Sequence, residues 1–350
     1  MRSVLSSLFI VLSAAVAAAS TPTTEVEIAS TSTSRFMRGM TVTCPRFGEI
    51  WGSPAFADSL RQLHDIGVDW VSIHPYAGIR RDGGMRIYPA AGTGYLDRAV
   101  DIARDADMAL FWKPHLAYWG SFEWRGVIEF GDDETAWRRF FTDYEEFIVD
   151  QARFAEAADA PLFAVGVELE ATTHRPEWRQ ILERVREVYR GDITYAANWD
   201  SLDKVPFWDA VDQIGVQAYF PLADDERPPS RQDLDQAWDL HLDVLRKLAD
   251  KHAKPIVLTE IGYDLSLNAA LEPWHTDRSA SADERVVAFR DLLIHTAIER
   301  VEATPFITGM FWWKWMPGRI RAHRDFPMRH PAALAALDEA WGNDAPTRID

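Results

Sequence analysis

From residue 36 onward, short apolar runs alternate with longer segments in which apolar residues recur every three or four positions. The short runs are continuously apolar and have the length of strands, whereas the longer segments have helical periodicity. The runs that predict strands are 36–44, 68–75, 109–115, 162–168, 193–198, 212–219, 255–260 and 307–315. The segments that predict helices are 56–67, 95–108, 136–158, 176–190, 234–252, 282–300 and 331–341, with a weaker one near 201–209.

Strands that alternate with helices form parallel sheets through right-handed crossovers. Eight such units in about 300 residues predict a single α/β domain, a (β/α)8 TIM barrel over residues 36–350. An open doubly wound sheet is the alternative. No glycine-rich nucleotide-binding turn follows the first predicted strand, which favours the barrel.

The first 19 residues have the features of a signal peptide. One arginine precedes a short apolar stretch, and Ala17-x-Ala19 predicts cleavage before Ser20. A membrane anchor is the alternative, but small residues rather than basic ones follow the apolar stretch. We therefore expect a secreted or periplasmic protein whose residues 20–35, rich in Thr and Ser, form a flexible leader.

Charge and composition narrow the choice of partners. The chain has 37 basic and 54 acidic residues, a net charge of −17, which argues against nucleic acid and anionic membranes. Cys44 is the single cysteine, so no intrachain disulfide can form. The 15 tryptophans either stack on sugar faces or fill a large core. We expect a neutral partner and a monomer.

In a (β/α)8 barrel the active site lies at the carboxyl ends of the strands. Polar and aromatic residues collect at the ends of the predicted strands, whereas the strand starts carry few of them. The candidates for the site are His74, Tyr76, Lys113, His115, Glu168, Asn198, Trp199, Tyr219, Glu260, Trp313 and Trp315.

Glu168 and Glu260 end the fourth and seventh predicted strands. A carboxylate at the end of an apolar run costs free energy unless it is paired or solvated, or it is kept there because it serves in catalysis. Two carboxylates at a barrel mouth suit glycoside hydrolysis, in which one is the nucleophile and the other the acid and then the base. Each could instead belong to a structural ion pair. Glu170 is the rival of Glu168, because alternation puts both on the same side of an extended strand.

The segments "VGVELE" and "LTEIGYD" resemble the acid/base and nucleophile motifs of the retaining (β/α)8 glycosidase clan with catalytic glutamates on strands 4 and 7. Within this clan, "VGVELEATT", "YAANWD", "IGVQAYFPL" and "TEIGY" most resemble glycoside hydrolase family 113, the β-mannanase family. The resemblance covers roughly residues 36–320. Most of the clan has Asn before the acid/base, where this chain has Val167, and family 113 also lacks that Asn.

The resemblance implies a retaining endo-β-glycanase without a cofactor, most closely a β-1,4-mannanase that acts on a neutral β-linked polysaccharide. It implies that Glu168 is the acid/base, that Glu260 is the nucleophile and that Tyr219 hydrogen-bonds the nucleophile. The residue that contacts the sugar 2-hydroxyl is left open between Asn198, His115 and Lys113.

Aromatic residues near the predicted site suggest sugar platforms. Trp313 and Trp315 share one face of the last predicted strand, and we favour Trp313 as the platform, with core packing for the other. Trp119, Trp124 and Trp199 lie in loops at the same rim and are candidates for further subsites.

A metal site is the other chemistry to consider, because His74 and His115 with the two glutamates could hold zinc. Metal-dependent barrel hydrolases usually carry His-x-His on the first strand, and "GMTVTC" has no histidine. We therefore expect no metal, and we expect the two histidines to contact sugar hydroxyls or pack at the rim.

Three alternatives remain open at this level. The same machinery could act on another β-glycan or on oligosaccharides, since epimeric sugars differ by one hydroxyl orientation. A non-catalytic carbohydrate-binding barrel predicts that one glutamate is missing or displaced. A metallohydrolase predicts that a chelator abolishes activity.

Overall fold

The structure is a computed structural model that describes residues 35–44, 48–276, 283–318 and 326–342. The described residues belong to one compact unit, residues 34–350. The predicted signal peptide and all of the predicted leader except Arg35 lie outside the described residues.

Eleven strands are present in the described residues, and eight of them form the barrel. In chain order the strands are β1 (Met37–Val42), β2 (Trp70–Ile73), β3 (Tyr76–Ile79), β4 (Met85–Arg86), β5 (Ala109–Trp112), β6 (His115–Ala117), β7 (Leu162–Val167), β8 (Asp192–Asn198), β9 (Gln213–Gln217), β10 (Ile256–Ile261) and β11 (Ile307–Trp315).

Seven α-helices are present in the same residues. They are α1 (Pro54–Asp65), α2 (Tyr95–Asp105), α3 (Glu134–Ala157), α4 (Glu177–Arg186), α5 (Arg231–His252), α6 (Glu284–Glu302) and α7 (Pro331–Trp341). Among the described residues, no helix combines the length and the apolar character that crossing a bilayer requires.

The barrel is closed, with the strand order β1-β11-β10-β9-β8-β7-β5-β2. Its strand pairs are all parallel, and β1 closes the ring because it pairs with both β2 and β11. The predicted (β/α)8 barrel is thereby confirmed. Strands such as β7 and β10 are buried along their whole length, which explains their continuous apolar sequences.

The inside of the barrel is filled by a small apolar cluster, separate from the larger core between strands and helices. Phe111 and Phe311 meet there, with ring centroids 4.8 Å apart. Gly39 faces this pair, and a Cβ atom at Gly39 would lie 2.2 Å from the Phe311 ring. The large aromatic rings inside the barrel therefore require glycine on β1.

Two parts of the fold differ from the sequence-based expectation. The weak helix expected near 201–209 is wrong, because two short 3-10 helices, Leu202–Lys204 and Trp208–Ala210, take its place. Pro206 lies between them and cannot donate the backbone hydrogen bond that a continuous helix would need. A small sheet with the order β4-β3-β6 was also not expected, and it lies in the loops that follow β2 and β5.

Tryptophan mainly serves the core in this fold. Eight of the 15 tryptophans are fully buried. They are Trp51, Trp112, Trp178, Trp208, Trp238, Trp312, Trp315 and Trp341. The high tryptophan content is therefore explained mostly by packing, and a smaller set is left for the site.

Candidate active site

A cleft of about 680 Å³ opens at the carboxyl ends of the barrel strands. Glu168 and Glu260 both line it, together with the predicted residues Trp124, Asn198, Trp199, Tyr219 and Trp313. The remaining lining residues are Tyr118, Glu123, Arg125, Glu170, Asp200, Trp274 and Phe326. His74, Tyr76, Lys113, His115, Trp119 and Trp315 do not line the cleft.

Glu260 lies in β10 and has well-defined partners for both carboxylate oxygens. The ammonium group of Lys113 donates to Oε1 over 2.6 Å, and the hydroxyl of Tyr219 donates to Oε2 over 2.9 Å. The side chain is 6% exposed. Because each oxygen accepts from a different strand end, the carboxylate has a fixed orientation toward the cleft.

Lys113 supports Glu260 instead of reaching into the cleft. Its Nζ also donates to the backbone carbonyl of Thr259 over 2.9 Å, and its side chain is completely buried. Burial lowers the pKa of Lys113, while the negative charge of Glu260 acts in the opposite direction. Lys113, one of the three candidates for the sugar 2-hydroxyl, is thus engaged by Glu260.

Glu168 directly follows β7 and has a left-handed backbone conformation, with φ of 55°. Its N–H donates to the carbonyl of Ala196 over 2.9 Å, and the next N–H, of Leu169, donates to the hydroxyl of Tyr195 over 3.1 Å. A non-glycine residue in this region costs about 1–3 kcal/mol. The neighbouring strand β8 supplies both acceptors, and the resulting turn ends the extended strand at Glu168.

The carboxylate of Glu168 pairs with the guanidinium of Arg125 through Nη1 and Oε2. Burial raises the pKa of Glu168, the positive charge of Arg125 lowers it, and the negative charge of Glu260 raises it, so that the pKa lies above its ordinary value. Burial is the larger of the two causes that raise this pKa. The two glutamates therefore have distinct environments. Burial raises the pKa of Glu168, whereas Glu260 accepts hydrogen bonds from Lys113 and Tyr219.

Glu170, the rival of Glu168, also lines the cleft but has its own counter-ion. It begins the 3-10 helix Glu170–Thr172 and pairs with the ammonium group of Lys204. The side chain of Lys204 is 55% exposed, so this ion pair belongs to the rim. The structure therefore separates the two carboxylates that sequence alternation placed on one side.

His74 and His115 form a stacked pair beneath the cleft, with ring centroids 4.8 Å apart and an interplanar angle of 23°. Burial lowers the pKa of both imidazoles well below the ordinary value, with the nearby cations Lys113 and Arg125 acting in the same direction. Among the described residues, their ring nitrogens have no hydrogen-bond partner. Nε2 of His115 is 3.9 Å from Oε1 of Glu260. The pair is thus neutral and supports the floor of the site.

No group of three or more His, Cys, Asp and Glu is arranged to hold a metal ion within the described ranges. Tyr76 packs edge-on against His74 with a centroid distance of 5.2 Å. Burial raises the pKa of Tyr76 to about 12. Its hydroxyl therefore stays protonated at neutral pH.

The predicted aromatic residues fall into different places. Trp313 lines the cleft and lies 5.6 Å from His74 between ring centroids, whereas Trp315 is fully buried. The register between β11 and β1 skips Lys314, which interrupts the regular alternation of this strand. Trp119 is 64% exposed and contacts Tyr76, outside the cleft lining.

Trp199 and Trp274 both line the cleft and stack on each other, with ring centroids 6.1 Å apart and an interplanar angle of 24°. Trp274 is 50% exposed and offers a flat apolar surface to a ligand. Asn198 ends β8 in the same wall, and its side-chain Nδ2 has no partner within the described part of the chain. Of the three candidates for the sugar 2-hydroxyl, Asn198 is the one that lines the cleft.

Sequence reasoning missed Arg125, Trp274, Tyr118 and Phe326. All four lie outside the barrel strands, in connecting segments that no strand-end argument covers. The one signal for Arg125 is a basic residue beside Trp124 in the long loop after β6, and that pattern is too common to be decisive.

Comparison with known proteins gives a family assignment. The sequence model of a family described as Glycoside Hydrolase Family 113 matches residues 41–325. No curated protein matches the chain.

Several solved structures share the fold. A structure described as a complex of GH113 β-1,4-mannanase has 21% identity and a TM-score of 0.76, and the match covers 88% of this chain and 99% of that one. The GH113 β-mannanase AaManA from Alicyclobacillus acidocaldarius, in complex with ManMIm, has 23% identity and a TM-score of 0.74, with 89% and 98% coverage. A family 5 mannosidase from Rhizomucor miehei is more distant, with 12% identity, a TM-score of 0.58 and 88% and 93% coverage.

Proposed function

The chain belongs to Glycoside Hydrolase Family 113 and is a glycoside hydrolase, and from that premise we propose that it is a retaining endo-β-1,4-mannanase. The observation that carries the proposal is the contrast between two carboxylates in one cleft. Glu260 is held by Lys113 and Tyr219, whereas burial raises the pKa of Glu168. A fixed nucleophile and a carboxyl group that keeps its proton are what double displacement requires.

In the first step Glu260 attacks the anomeric carbon while Glu168 gives its proton to the departing glycosidic oxygen. The new ester removes the charge of Glu260, which had raised the pKa of Glu168. Glu168 can then take a proton from the water that attacks the anomeric carbon and releases the sugar. Lys113 and Tyr219 position Glu260 for both steps.

The cleft supports a polymeric, neutral substrate. Trp313 lines the cleft together with the two glutamates, and the stacked pair of Trp199 and Trp274 lines it as well. Flat aromatic surfaces suit sugar faces, and the net charge of −17 disfavours polyanionic glycans. The structures of similar fold described as β-mannanases favour mannan among the neutral β-glycans.

The test is hydrolysis of mannan, glucomannan, xylan, galactan and β-glucan by the wild type and by Glu168→Ala and Glu260→Ala. We expect cleavage of mannan, with a loss of at least about 100-fold in each variant, the lower range for a general acid/base group. With an aryl β-mannoside, whose leaving group departs without protonation, azide should rescue Glu168→Ala with a retained glycosyl azide and Glu260→Ala with an inverted one, because only the second variant lacks the nucleophile.

Glu170→Ala is the matched control, since Glu170 is a cleft carboxylate with its own counter-ion, Lys204. It should lose much less activity than either catalytic variant. If the wild type cleaves none of these glycans, the proposed activity is rejected. If Glu170→Ala loses as much as Glu168→Ala, the assignment of the acid/base is wrong.

We also propose that the protein is exported and that residues 1–19 are removed. Mass spectrometry of the protein purified from the medium or the periplasm should give a mature chain that begins at Ser20. An intact Met1 on the exported protein, or its retention in the cell, contradicts this proposal.

A further inference from the structure

Double displacement requires Glu168 to change its protonation state twice in each turnover. It must hold a proton when the glycosidic bond breaks and must be ionised when water attacks. Burial favours the protonated form throughout. Loss of the Glu260 charge removes one cause of the raised pKa but leaves burial, so a group that favours the ionised form assists the second step.

Arg125 is such a group, and several contacts hold it in place. Its side chain is buried, its Nε donates to the carbonyl of Leu116 over 3.1 Å, and its guanidinium carbon lies 5.5 Å from the ring centroid of Tyr118. Its Nη1 donates to Oε2 of Glu168. Among the described residues, Glu168 is the only carboxylate within ion-pair distance of Arg125.

The charged groups at the site are matched in pairs. Lys113 pairs with Glu260 and Arg125 pairs with Glu168, while Lys204 pairs with Glu170 at the rim. The groups that face Glu168 are Arg125, Lys113, Glu260, Tyr195, Tyr219 and the amide of Gln217. His74 and His115 are neutral, so Arg125 is the cation in direct contact with Glu168.

We propose that Arg125 is a positioning residue that makes Glu168 a base in the second half of the reaction and orients its other oxygen toward the attacking water. This inference rests on the proposed double displacement. In the first step the carboxyl proton goes to the leaving oxygen as the bond between the anomeric carbon and Glu260 forms. Arg125 then holds the carboxylate, which takes a proton from water as the ester to Glu260 breaks.

The variant Arg125→Gln tests whether the positive charge of Arg125 favours the ionised form of Glu168. Without the guanidinium, Glu168 keeps its proton to higher pH, so the basic limb of the kcat/KM profile should move to higher pH. With an aryl β-mannoside that has a good leaving group, the second step should slow at least about tenfold and the glycosyl-enzyme should accumulate as a burst. Arg125→Lys keeps the positive charge and should keep the limb close to that of the wild type.

A second readout needs no substrate. Infrared titration of the carboxyl band, assigned by its disappearance in Glu168→Gln, reports the proton on Glu168 directly. In Arg125→Gln this band should persist to higher pH than in the wild type. Lys204→Gln is the matched control, because it removes a cation that pairs with Glu170 and not with Glu168, and it should leave the band unchanged.

The outcomes are separable. The inference is overturned if Arg125→Gln folds and neither the basic limb of the kcat/KM profile nor the infrared titration of Glu168 shifts in pH. In that case the activity would be reduced equally at every pH. If Arg125→Gln does not fold, Tyr118→Leu removes the ring that faces the guanidinium, and the limb should move in the same direction by a smaller amount. If the wild type cleaves no β-mannan but the band still moves, the proposed function fails while the control of Glu168 by Arg125 stands.

Discussion

Lys113 and Glu260 lie 147 residues apart in the chain and form a buried ion pair with 2.6 Å between Nζ and Oε1. The pair joins the end of β5 to β10 across the inside of the barrel mouth. Lys113 is completely buried and Glu260 is 6% exposed, so the two charges are largely shielded from solvent. The position of the proposed nucleophile thus depends on a lysine that does not line the cleft.

Replacing Lys113 with methionine should destabilise the protein and inactivate it. Loss of one partner leaves a buried, uncompensated charge, so the free energy of unfolding should fall by about 3–5 kcal/mol. Urea unfolding and kcat/KM on mannan measure the two effects. The double variant Lys113→Met/Glu260→Gln should recover much of the stability without activity. A Lys113→Met variant as stable as the wild type contradicts the ion pair.

Replacing Tyr219 with phenylalanine should slow the reaction without unfolding the barrel. A hydrogen bond to a charged group contributes about 1.5–3 kcal/mol, which corresponds to a roughly 10- to 100-fold lower kcat/KM. Tyr189→Phe is the control, because its hydroxyl donates to Ala160 over 2.6 Å, outside the cleft. The control should lose about 1 kcal/mol of stability and retain its kcat. Equal kinetics for the two variants would show that Tyr219 does not position Glu260.

Trp313 and Trp315 should respond differently to alanine substitution although they are two residues apart. Trp313→Ala removes a cleft wall, so kcat/KM should fall while stability changes little. Trp315→Ala empties a fully buried site and should lower the free energy of unfolding by about 3–5 kcal/mol. Thermal unfolding and kinetics on the same preparations distinguish the two. The reverse pattern would place the sugar platform on Trp315.

The neutral pair of His74 and His115 should make stability depend on pH. Burial depresses their pKa in the folded state below the ordinary value of 6.5, so only the unfolded chain takes up protons just below that pH. Stability is therefore full above about pH 6.5 and falls as the pH drops toward the folded-state pKa. Urea unfolding along a pH series should show this loss.

The variant His74→Phe should flatten that dependence, because it removes one of the two groups that bind protons only in the unfolded state. His275→Asn, at an exposed position, is the control and should leave the slope as in the wild type. A slope in His74→Phe equal to that of the wild type would mean that other groups cause the pH dependence. Glu168, with its raised pKa, acts in the opposite direction and is removed from the comparison by working in a Glu168→Gln background.

Most of the fold could be predicted because its signals are local. The continuous apolar runs that became β7 and β10 were placed to within one or two residues, and each of the seven predicted long helices has an α-helix in the same place. The predicted helix near 201–209 is wrong because Pro206 cannot donate a backbone hydrogen bond, and the apolar pattern there is weak. The sheet of β3, β4 and β6 was missed because strands of two to four residues carry almost no periodicity.

The sequence by itself determined the eight barrel strands, the seven α-helices that follow all of them except β8, and the positions of Glu168 and Glu260 at strand ends. Parallel strands bring their carboxyl ends to one rim, so the topology alone gathers those residues there. Only the tertiary structure decided which groups meet. Lys113 turns to Glu260, Arg125 enters from a loop to Glu168, and Trp315 is buried while Trp313 lines the cleft. Such pairings depend on burial and side-chain direction, which residues distant in the chain impose on one another.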